Sequence, residues 1–277
     1  MHSVAISFGF FSISWYALCF VFGAVGAFLF LRNILLHSNN VHQKFSQEEC
    51  WDLFLFLFVG AIVGARLGYV IFYNASFFLS HPIQIVSPFD VQAGAWVGIS
   101  GMSYHGGVIG VLLAVWIFSR RYQKSLLPLL DVIALSAPLA IFFGRIGNFI
   151  TGELFGRVTT VPWGMVFARS GDDALRHPSQ LYEAFGEGIL LFVALLWFSK
   201  QQRTRGMLVV WYVGLYGAIR FFLEFFREPD SHIGFFFKVL TLGQIFSISM
   251  VLFSIICGVW FSHRKSDILS TDATYSS

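Results

Sequence analysis

Apolar residues occur along this chain in long runs that are separated by short polar segments. Each run comes close to the roughly 20 residues that a helix needs to cross the hydrocarbon core of a bilayer. The pattern therefore predicts an all-α membrane protein with about seven transmembrane helices. The predicted spans cover residues 13–35, 53–73, 104–119, 126–143, 181–198, 207–226 and 239–261.

The composition agrees with a membrane protein. Of the 277 residues, 56% are hydrophobic and 12% are charged, whereas soluble domains contain roughly 25% charged residues. The net charge of +3 is too small to argue for a nucleic-acid partner. The three cysteines are odd in number and lie in predicted spans or a cytoplasmic loop, so we expect no disulfide. Because they show no ligand spacing, we also expect no metal site.

The distribution of basic residues predicts the orientation of the chain. Lys and Arg concentrate in cytoplasmic loops, and here they follow the first, third, fifth and seventh spans. We therefore predict an amino terminus outside the cell and a cytoplasmic carboxyl terminus. Some basic residues fall on the outer side against this rule, which indicates a purpose other than topology. They are Arg145, Arg157, Arg169, Arg176, Arg220, Arg227 and Lys238.

The polar segments suggest how the chain is organised. Residues 1–265 are predicted to form a single integral membrane domain, with an apolar, Phe-rich outer-surface helix up to Ser14. Residues 157–177 are predicted to form a small outward-facing cap. Residues 266–277 are rich in Ser, Thr and Asp, which predicts a disordered cytoplasmic tail.

The second span combines a packing motif with a charged residue. Gly60, Gly64 and Gly68 recur every four residues, which predicts close contact with another helix. Arg66 lies in the same span. It is either a structural cation that other groups neutralise or a weaker candidate for the functional site.

A polar cluster follows the fourth span and contains Arg145, Asn148, Glu153 and Arg157. An arginine at the bilayer centre costs roughly 2.5–3.5 kcal/mol on insertion scales, so the cluster needs partners, water or a ligand. One interpretation is a re-entrant turn whose side chains satisfy one another. Because glycines separate the polar residues, and irregular backbone at membrane depth is tolerated where it lines a cavity, we favour a cavity.

Arg220 and Glu224 are four residues apart, so they share one face of the sixth predicted helix. The pair could simply make the helix insertable into the membrane. Alternatively, Glu224 holds Arg220 in one rotamer, and the planar guanidinium then receives a phosphate.

His105 and Tyr16 each have a structural and a functional interpretation. A lone histidine at a helix end is often a packing residue, but His105 could also accept a proton near pH 7. Tyr16 stands beside Trp15, and aromatic residues at span ends usually mark the membrane interface.

Together these residues supply one possible base, several arginines and carboxylates that could orient them, which suits an anionic lipid headgroup. No protein nucleophile is evident, so a transfer reaction would need an acceptor that brings its own. No nucleotide or metal motif is present, and we expect no cofactor. A transporter or flippase of an anionic lipid is the alternative function, and a seven-span receptor is a weaker third.

Four motifs of the chain are Gly-Met-Ser-Tyr-His-Gly-Gly (101–107), Gly-Arg-Ile-Gly-Asn-Phe-Ile-Thr-Gly-Glu-Leu-Phe-Gly-Arg (144–157), Arg-His-Pro-Ser-Gln-Leu-Tyr-Glu (176–183) and Tyr-Gly-Ala-Ile-Arg-Phe-Phe-Leu-Glu-Phe-Phe-Arg-Glu-Pro-Asp (216–230). Through these motifs the chain resembles the bacterial prolipoprotein diacylglyceryl transferase family. The resemblance implies an enzyme of the bacterial inner membrane that carries out the first step of lipoprotein maturation. Its expected partners are phosphatidylglycerol and the prolipoprotein signal peptide, whose lipobox cysteine receives the diacylglyceryl group while glycerol phosphate is released.

The resemblance also implies the residues of the site. Within it, we expect Arg145 and Arg220 to stabilise the leaving phosphate, with Glu153 and Glu224 orienting them. Two positions depart from the family pattern, since Ser100 replaces a glycine and Thr151 an asparagine. The expected catalytic residues are His105, Arg145, Arg220 and Glu224, and the expected substrate-binding residues are Tyr16, Asn148, Glu153 and Gly156.

Overall fold

The computed structural model describes residues 4–8, 11–37, 43–87, 89–90, 95–96, 101–201, 204–228, 235–236 and 240–274. Ser100, Lys238 and the last residues of the predicted tail, 275–277, lie outside the described residues. Within the described part of the chain, helices occupy each of the seven predicted spans, which confirms the all-α membrane class. The helices are α1 (Trp15–His37), α2 (Gln47–Phe72), α3 (Ala75–Ser80), α4 (Tyr104–Arg121), α5 (Leu126–Thr151), α6 (Ser179–Glu183), α7 (Leu191–Gln201), α8 (Met207–Leu223) and α9 (Leu242–Thr274).

Five helical segments of the described chain are long and apolar enough to cross a membrane. The segment from α6 to α7 counts as one of them, because a π-helical stretch, Ala184–Leu190, joins the two helices without a break. Helix α8 is apolar but shorter. The spanning segments are Trp15–His37, Gln47–Phe72, Leu126–Thr151, Ser179–Gln201 and Leu242–Phe261.

The amino-terminal segment differs from its prediction. Instead of a surface helix, strands β1 (Val4–Phe8) and β2 (Phe11–Ser14) form an antiparallel hairpin with Ile6 opposite Ile13. Apolar residues at alternate positions suit a strand better than a helix. The other strands are pairs of two residues, β3 (Phe89–Asp90) with β4 (Ala95–Trp96), and β5 (Phe235–Phe236) with β6 (Leu240–Thr241).

The carboxyl-terminal helix is longer than its predicted span. Its backbone is helical through Thr274, so the helix continues into the segment for which the sequence predicted disorder. Each added residue of an existing helix contributes one hydrogen bond without a new nucleation cost, which lets α9 extend past its apolar part.

The chain forms two compact units. The first contains Met1–Ile34 and Leu130–Ser277, and the second contains Leu35–Leu129. In the first unit, a buried core of Leu135, Leu191 and Leu195 brings residues of α5 and α7 together. The second unit is built around the contact between α2 and α4.

Glycines explain the close contact between α2 and α4. A Cβ atom on Gly64 would collide with the backbone of Gly106 and Gly110, and a Cβ atom on Gly68 would lie 2.7 Å from Gly106 Cα. The glycines of the second predicted span therefore face glycines of α4. The prediction of a small-residue packing stripe is confirmed.

Arg66, the basic residue of α2, contacts the backbone of the loop that follows this helix. Its guanidinium donates hydrogen bonds to the carbonyl oxygens of Ile85 at 2.8 Å, Gln84 at 2.6 Å and Gly101 at 3.2 Å. It also lies 4.9 Å from the ring centroid of Phe78. These contacts favour the structural interpretation of Arg66, since backbone carbonyls use several of its donors.

Asp131 links two helices of the first unit. This buried side chain of α5 accepts hydrogen bonds from the backbone N–H groups of Gly206 at 2.6 Å and Val209 at 3.0 Å. The first N–H groups of a helix have no partner within the helix itself. Asp131 therefore caps the amino terminus of α8.

Candidate functional site

Arg145 and Asn148 lie on the last two turns of α5. This helix runs to Thr151, eight residues beyond the end of the predicted span at residue 143, and the chain then turns at Gly152, whose φ is +69°. The Thr151 hydroxyl donates to the Gly147 carbonyl oxygen at 3.1 Å. The backbone that carries both polar residues is thus a continuous helix rather than a re-entrant turn.

Arg145 is held by two carboxylates, one from the last residue of α6 and one from the π-helical stretch that follows it. Its Nη1 atom lies 2.9 Å from Glu183 Oε2, and its Nη2 atom lies 3.0 Å from Glu187 Oε2. Both glutamate side chains are 0% exposed, and that of Arg145 is 17% exposed. Arg145 therefore has partners within the protein.

The same two carboxylates contact Arg220 of α8. Arg220 Nη1 lies 2.6 Å from Glu183 Oε1 and 3.3 Å from Glu187 Oε1. Arg220 Nη2 lies 2.6 Å from Glu224 Oε2. The predicted contact between Arg220 and Glu224 is confirmed, and two further glutamates join it.

Glu187 lies in the π-helical stretch between two glycines. Gly186 and Gly188 let two neighbouring helices approach this stretch closely. A Cβ atom on Gly188 would lie 2.7 Å from Phe142 Cβ of α5, and one on Gly186 would lie 2.9 Å from Ile219 Cγ2 of α8. Short π-helical insertions in helices are frequent at functional sites, and here one carries Glu187, which contacts both Arg145 and Arg220.

The cluster balances its charges internally. Arg145 and Arg220 face Glu183, Glu187 and Glu224, while Arg227 adds a longer contact to Glu183 at 3.8 Å. Taking charges out of water costs several kcal/mol per ion unless partners and hydrogen bonds compensate. A guanidinium has five N–H donors, so an arginine paired in this way keeps donors for a bound anion.

Tyr16 packs against the same part of α5. A Cβ atom on Gly147 would lie 3.2 Å from Tyr16 Cδ2 and 3.1 Å from Cys19 Cβ. Glycine at position 147 therefore lets α1 approach α5 between Arg145 and Asn148. Asn148 itself is 8% exposed. Its backbone carbonyl oxygen accepts a hydrogen bond from the backbone N–H of Glu153 at 2.9 Å.

Glu153 differs from its predicted role. We expected this carboxylate to orient Arg145 or Arg220, but it pairs with Arg169 instead. The reason lies in the end of α5, because the chain turns at Gly152 and carries Glu153 away from the helix. Gln180 fixes the backbone at this point by donating to the Glu153 carbonyl oxygen at 2.7 Å.

A cleft of about 400 Å³ lies beside the end of α5. Arg169 contributes to its wall, and neither Arg145 nor Arg220 does. The predicted cavity around the polar cluster is therefore not this cleft. The cleft is lined by Thr151, Gly152, Val166, Phe167, Ala168, Arg169, Gly171, Asp172 and Asp173.

Gly156 lies where three stretches of chain meet. Its N–H donates to the His177 carbonyl oxygen at 2.9 Å, and a Cβ atom here would lie 2.5 Å from the carbonyl oxygens of both His177 and Phe226. Arg157 continues this contact by donating from Nε to the Arg227 carbonyl oxygen at 2.9 Å. Glycine at 156 is therefore required by packing.

Arg176 closes the segment 157–177. Its backbone pairs with Met165, while its side chain lies 2.8 Å from Asp172 Oδ2 and 3.2 Å from Glu228 Oε2. The hydrogen bond from Arg176, together with one from Ser170, lowers the pKa of the Asp172 carboxyl to about 2. Arg176 therefore stabilises the segment through its contact with Asp172 and links it, through Glu228, to the chain after α8.

His105 belongs to the second unit. It lies in the first turn of α4, which Ser103 caps by accepting the Gly106 N–H at 3.3 Å. The imidazole is exposed, and its ring centroid lies 5.7 Å from that of Tyr104. The other predicted site residues all belong to the first unit.

Glu183 and Glu187, which contact both arginines, are not among the site residues predicted from the sequence. Glu187 lies within the predicted fifth span, and Glu183 near its start. Charged residues inside a span usually face the interior of the protein and pair with one another. The signal was the motif Gly186-Glu187-Gly188, with an acidic residue between two small ones.

Among the described residues, no group of three His, Cys, Asp or Glu side chains could hold a metal ion.

Known proteins are similar to this chain over nearly its whole length. The family model described as prolipoprotein diacylglyceryl transferase matches residues 3–260. The chain belongs to this family. Its matched residues include every predicted site residue, from Tyr16 to Glu224.

Individual members of the prolipoprotein diacylglyceryl transferase family are similar at 40% identity and above. A relative from Wolbachia pipientis subsp. Culex pipiens (strain wPip), named phosphatidylglycerol--prolipoprotein diacylglyceryl transferase, is 47% identical over 253 residues, which cover 90% of each chain. Relatives of the same name come from Helicobacter pylori strain J99, at 42% identity over 91% of this chain and 90% of theirs, and from Cupriavidus pinatubonensis, at 40% over 95% and 92%.

Proposed function

We propose that this chain transfers the diacylglyceryl group of phosphatidylglycerol to the thiol of the lipobox cysteine of a prolipoprotein. The thioether bond forms at the glyceryl carbon next to the phosphate, the carbon–oxygen bond to the phosphate breaks, and glycerol phosphate leaves. The reaction is the first step of bacterial lipoprotein maturation. Because the lipid supplies the leaving group, the reaction requires no soluble cofactor.

The observation that carries this proposal is the shared binding of Arg145 and Arg220 by the buried carboxylates of Glu183 and Glu187. Negative charge grows on the phosphate oxygens as the bond to carbon breaks. Donors that are already fixed in place stabilise such charge without having to reorganise. In this proposal the two arginines bind the departing phosphate, and the carboxylates hold them in position.

The thiol needs a separate activation. A free cysteine with a pKa near 8.5 is only a few per cent ionised at pH 7, so a base or a positive field raises its reactive fraction. His105 is the proposed base or thiolate partner. Tyr16, Asn148, Glu153 and Gly156 are the proposed substrate-binding residues, and the family resemblance supports these assignments.

In this proposal the chain lies in the bacterial inner membrane, with its amino terminus outside and its carboxyl terminus in the cytoplasm. Residues 157–177 form a small cap on the outer side. The basic residues that follow the first, third, fifth and seventh predicted spans support this orientation.

The direct test is mass spectrometry of a lipobox peptide after incubation with the purified protein and phosphatidylglycerol. We expect the cysteine to gain one diacylglyceryl unit and glycerol phosphate to appear in equal amount. A peptide with serine in place of the cysteine is the control and should remain unmodified. An unmodified cysteine peptide, in the presence of folded protein, would contradict the proposal.

A transporter or flippase of an anionic lipid would use the same arginines for binding. It would return its lipid unchanged, whereas the enzyme consumes phosphatidylglycerol and releases glycerol phosphate. Flipping of a labelled phosphatidylglycerol in vesicles without any peptide product would favour this alternative.

A further inference from the structure

The amino terminus of α9 is closed by a capping box. The Gln244 backbone N–H donates to the Thr241 hydroxyl oxygen at 3.2 Å, and the Thr241 backbone N–H donates to Gln244 Oε1 at 3.0 Å. Reciprocal bonds of this kind satisfy two donors that the first turn of a helix leaves free. The first of the two bonds, from the Gln244 backbone, also fixes the position of the Thr241 side chain.

The same hydroxyl group contacts Glu224, the partner of Arg220. Thr241 Oγ1 lies 3.0 Å from Glu224 Oε1, and the other oxygen of this carboxylate lies 2.6 Å from Arg220 Nη2. A hydroxyl group has one proton to donate, and an ionised carboxylate accepts only. Since Thr241 accepts from the backbone of Gln244, its proton is directed to Glu224.

Burial makes this contact hard to replace. Thr241 is 3% exposed, Gln244 1% and Glu224 5%. A Cβ atom on Gly243 would lie 2.8 Å from Glu224 Oε1, so the first turn of α9 packs directly on the carboxylate. Without the hydroxyl group, Glu224 Oε1 would lose a donor in a place with little room for water.

We propose that Thr241 is a positioning residue that acts on Arg220 through Glu224. The hydroxyl group keeps the carboxylate in one rotamer, and the carboxylate keeps the guanidinium aimed at the phosphate of the lipid. This inference rests on the proposed transfer reaction. It extends the site from α8 to α9, beyond the residues that the family motifs contain.

Three variants of the full-length protein separate positioning from helix capping. Thr241→Val removes the hydroxyl group at nearly constant volume, and Thr241→Ser keeps it. Gln244→Ala breaks the capping box but leaves the hydroxyl proton for Glu224. Each purified variant is assayed in detergent for kcat and KM with phosphatidylglycerol and a lipobox peptide, alongside its thermal unfolding.

We expect Thr241→Val to lower kcat/KM about 10-fold, because the charged Glu224 carboxylate loses a hydrogen bond. Thr241→Ser should restore most of the activity. Gln244→Ala should lower the unfolding temperature as Thr241→Val does, with kcat/KM within about twofold of the wild type. In a Glu224→Ala background, Thr241→Val should cause no further loss, because its target is gone.

Two outcomes would overturn the inference. One is wild-type kcat/KM for Thr241→Val while the wild-type enzyme is active. The other is an equal loss for Thr241→Val with and without Glu224. Absence of product with the folded wild-type protein would instead contradict the proposed function itself, and with it the positioning role of Thr241.

Discussion

The Glu187 carboxylate lies between Arg145 and Arg220, 3.0 Å from Nη2 of the first and 3.3 Å from Nη1 of the second. Two guanidinium groups that contact the same carboxylate lie close together, and without that anion between them they would repel each other. The fully buried Glu187 side chain supplies that anion. Its removal tests whether the arrangement depends on it.

We expect Glu187→Gln to lower the free energy of unfolding by about 3 kcal/mol, because breaking a buried ion pair leaves an uncompensated charge. Transfer activity should fall as well, since both arginines lose a partner. Thermal unfolding in detergent and the peptide assay measure the two effects. Glu228→Gln is the matched control, because Glu228 pairs with Arg176 but is 46% exposed, and it should shift stability by less than about 1 kcal/mol. Equal effects of the two substitutions would argue against the buried network.

Arg220→Ala should reduce turnover by about 10²–10³, the loss that follows removal of a fixed electrostatic donor. Arg145→Ala should have a similar effect. The measurement is the rate of peptide modification by purified protein that remains folded. Arg120→Ala is the control, since Arg120 is an exposed arginine at the end of α4, and it should retain normal turnover. Near-normal turnover by Arg220→Ala would falsify the leaving-group assignment.

His105→Gln tests the proposed base. Glutamine keeps a polar side chain of similar size but cannot accept the thiol proton, so we expect turnover to fall by about 10²–10⁴. A peptide thiol of lower pKa should recover part of the rate, because less of its ionisation depends on the protein. A normal rate with the ordinary lipobox peptide would leave His105 a packing residue of the second unit.

Gly110→Ala should destabilise the second unit, because the added Cβ would collide with the Gly60 carbonyl oxygen across the contact of α2 and α4. Gly107→Ala is the control on the same helix. Its Cβ would lie 3.5 Å from Ala61 O and Ala65 Cβ, an ordinary contact, and alanine favours a helix by about 1 kcal/mol over glycine. The unfolding temperature should therefore fall for the first variant and hold or rise for the second. Equal values would remove the argument for glycine packing.

The sequence predicted the helical class because membrane spans leave a one-dimensional signal, a run of about 20 apolar residues. It also predicted the contact of Arg220 with Glu224, since residues four apart share one face of any helix. The glycine stripe of α2 was readable for the same reason of periodicity. Family membership was readable too, because motifs such as residues 144–157 are contiguous in the chain.

Tertiary structure alone decided which charges meet when they lie far apart in the sequence. Glu183 and Glu187 lie 38 and 42 residues after Arg145, and Thr241 lies 17 after Glu224; sequence separation of that size carries no information on distance. The partner of Glu153 was unreadable for another reason, since it depends on where α5 ends and how the chain turns at Gly152. Periodicity determines the face of a helix on which a residue lies, but only the packing of helices against each other determines what that face touches.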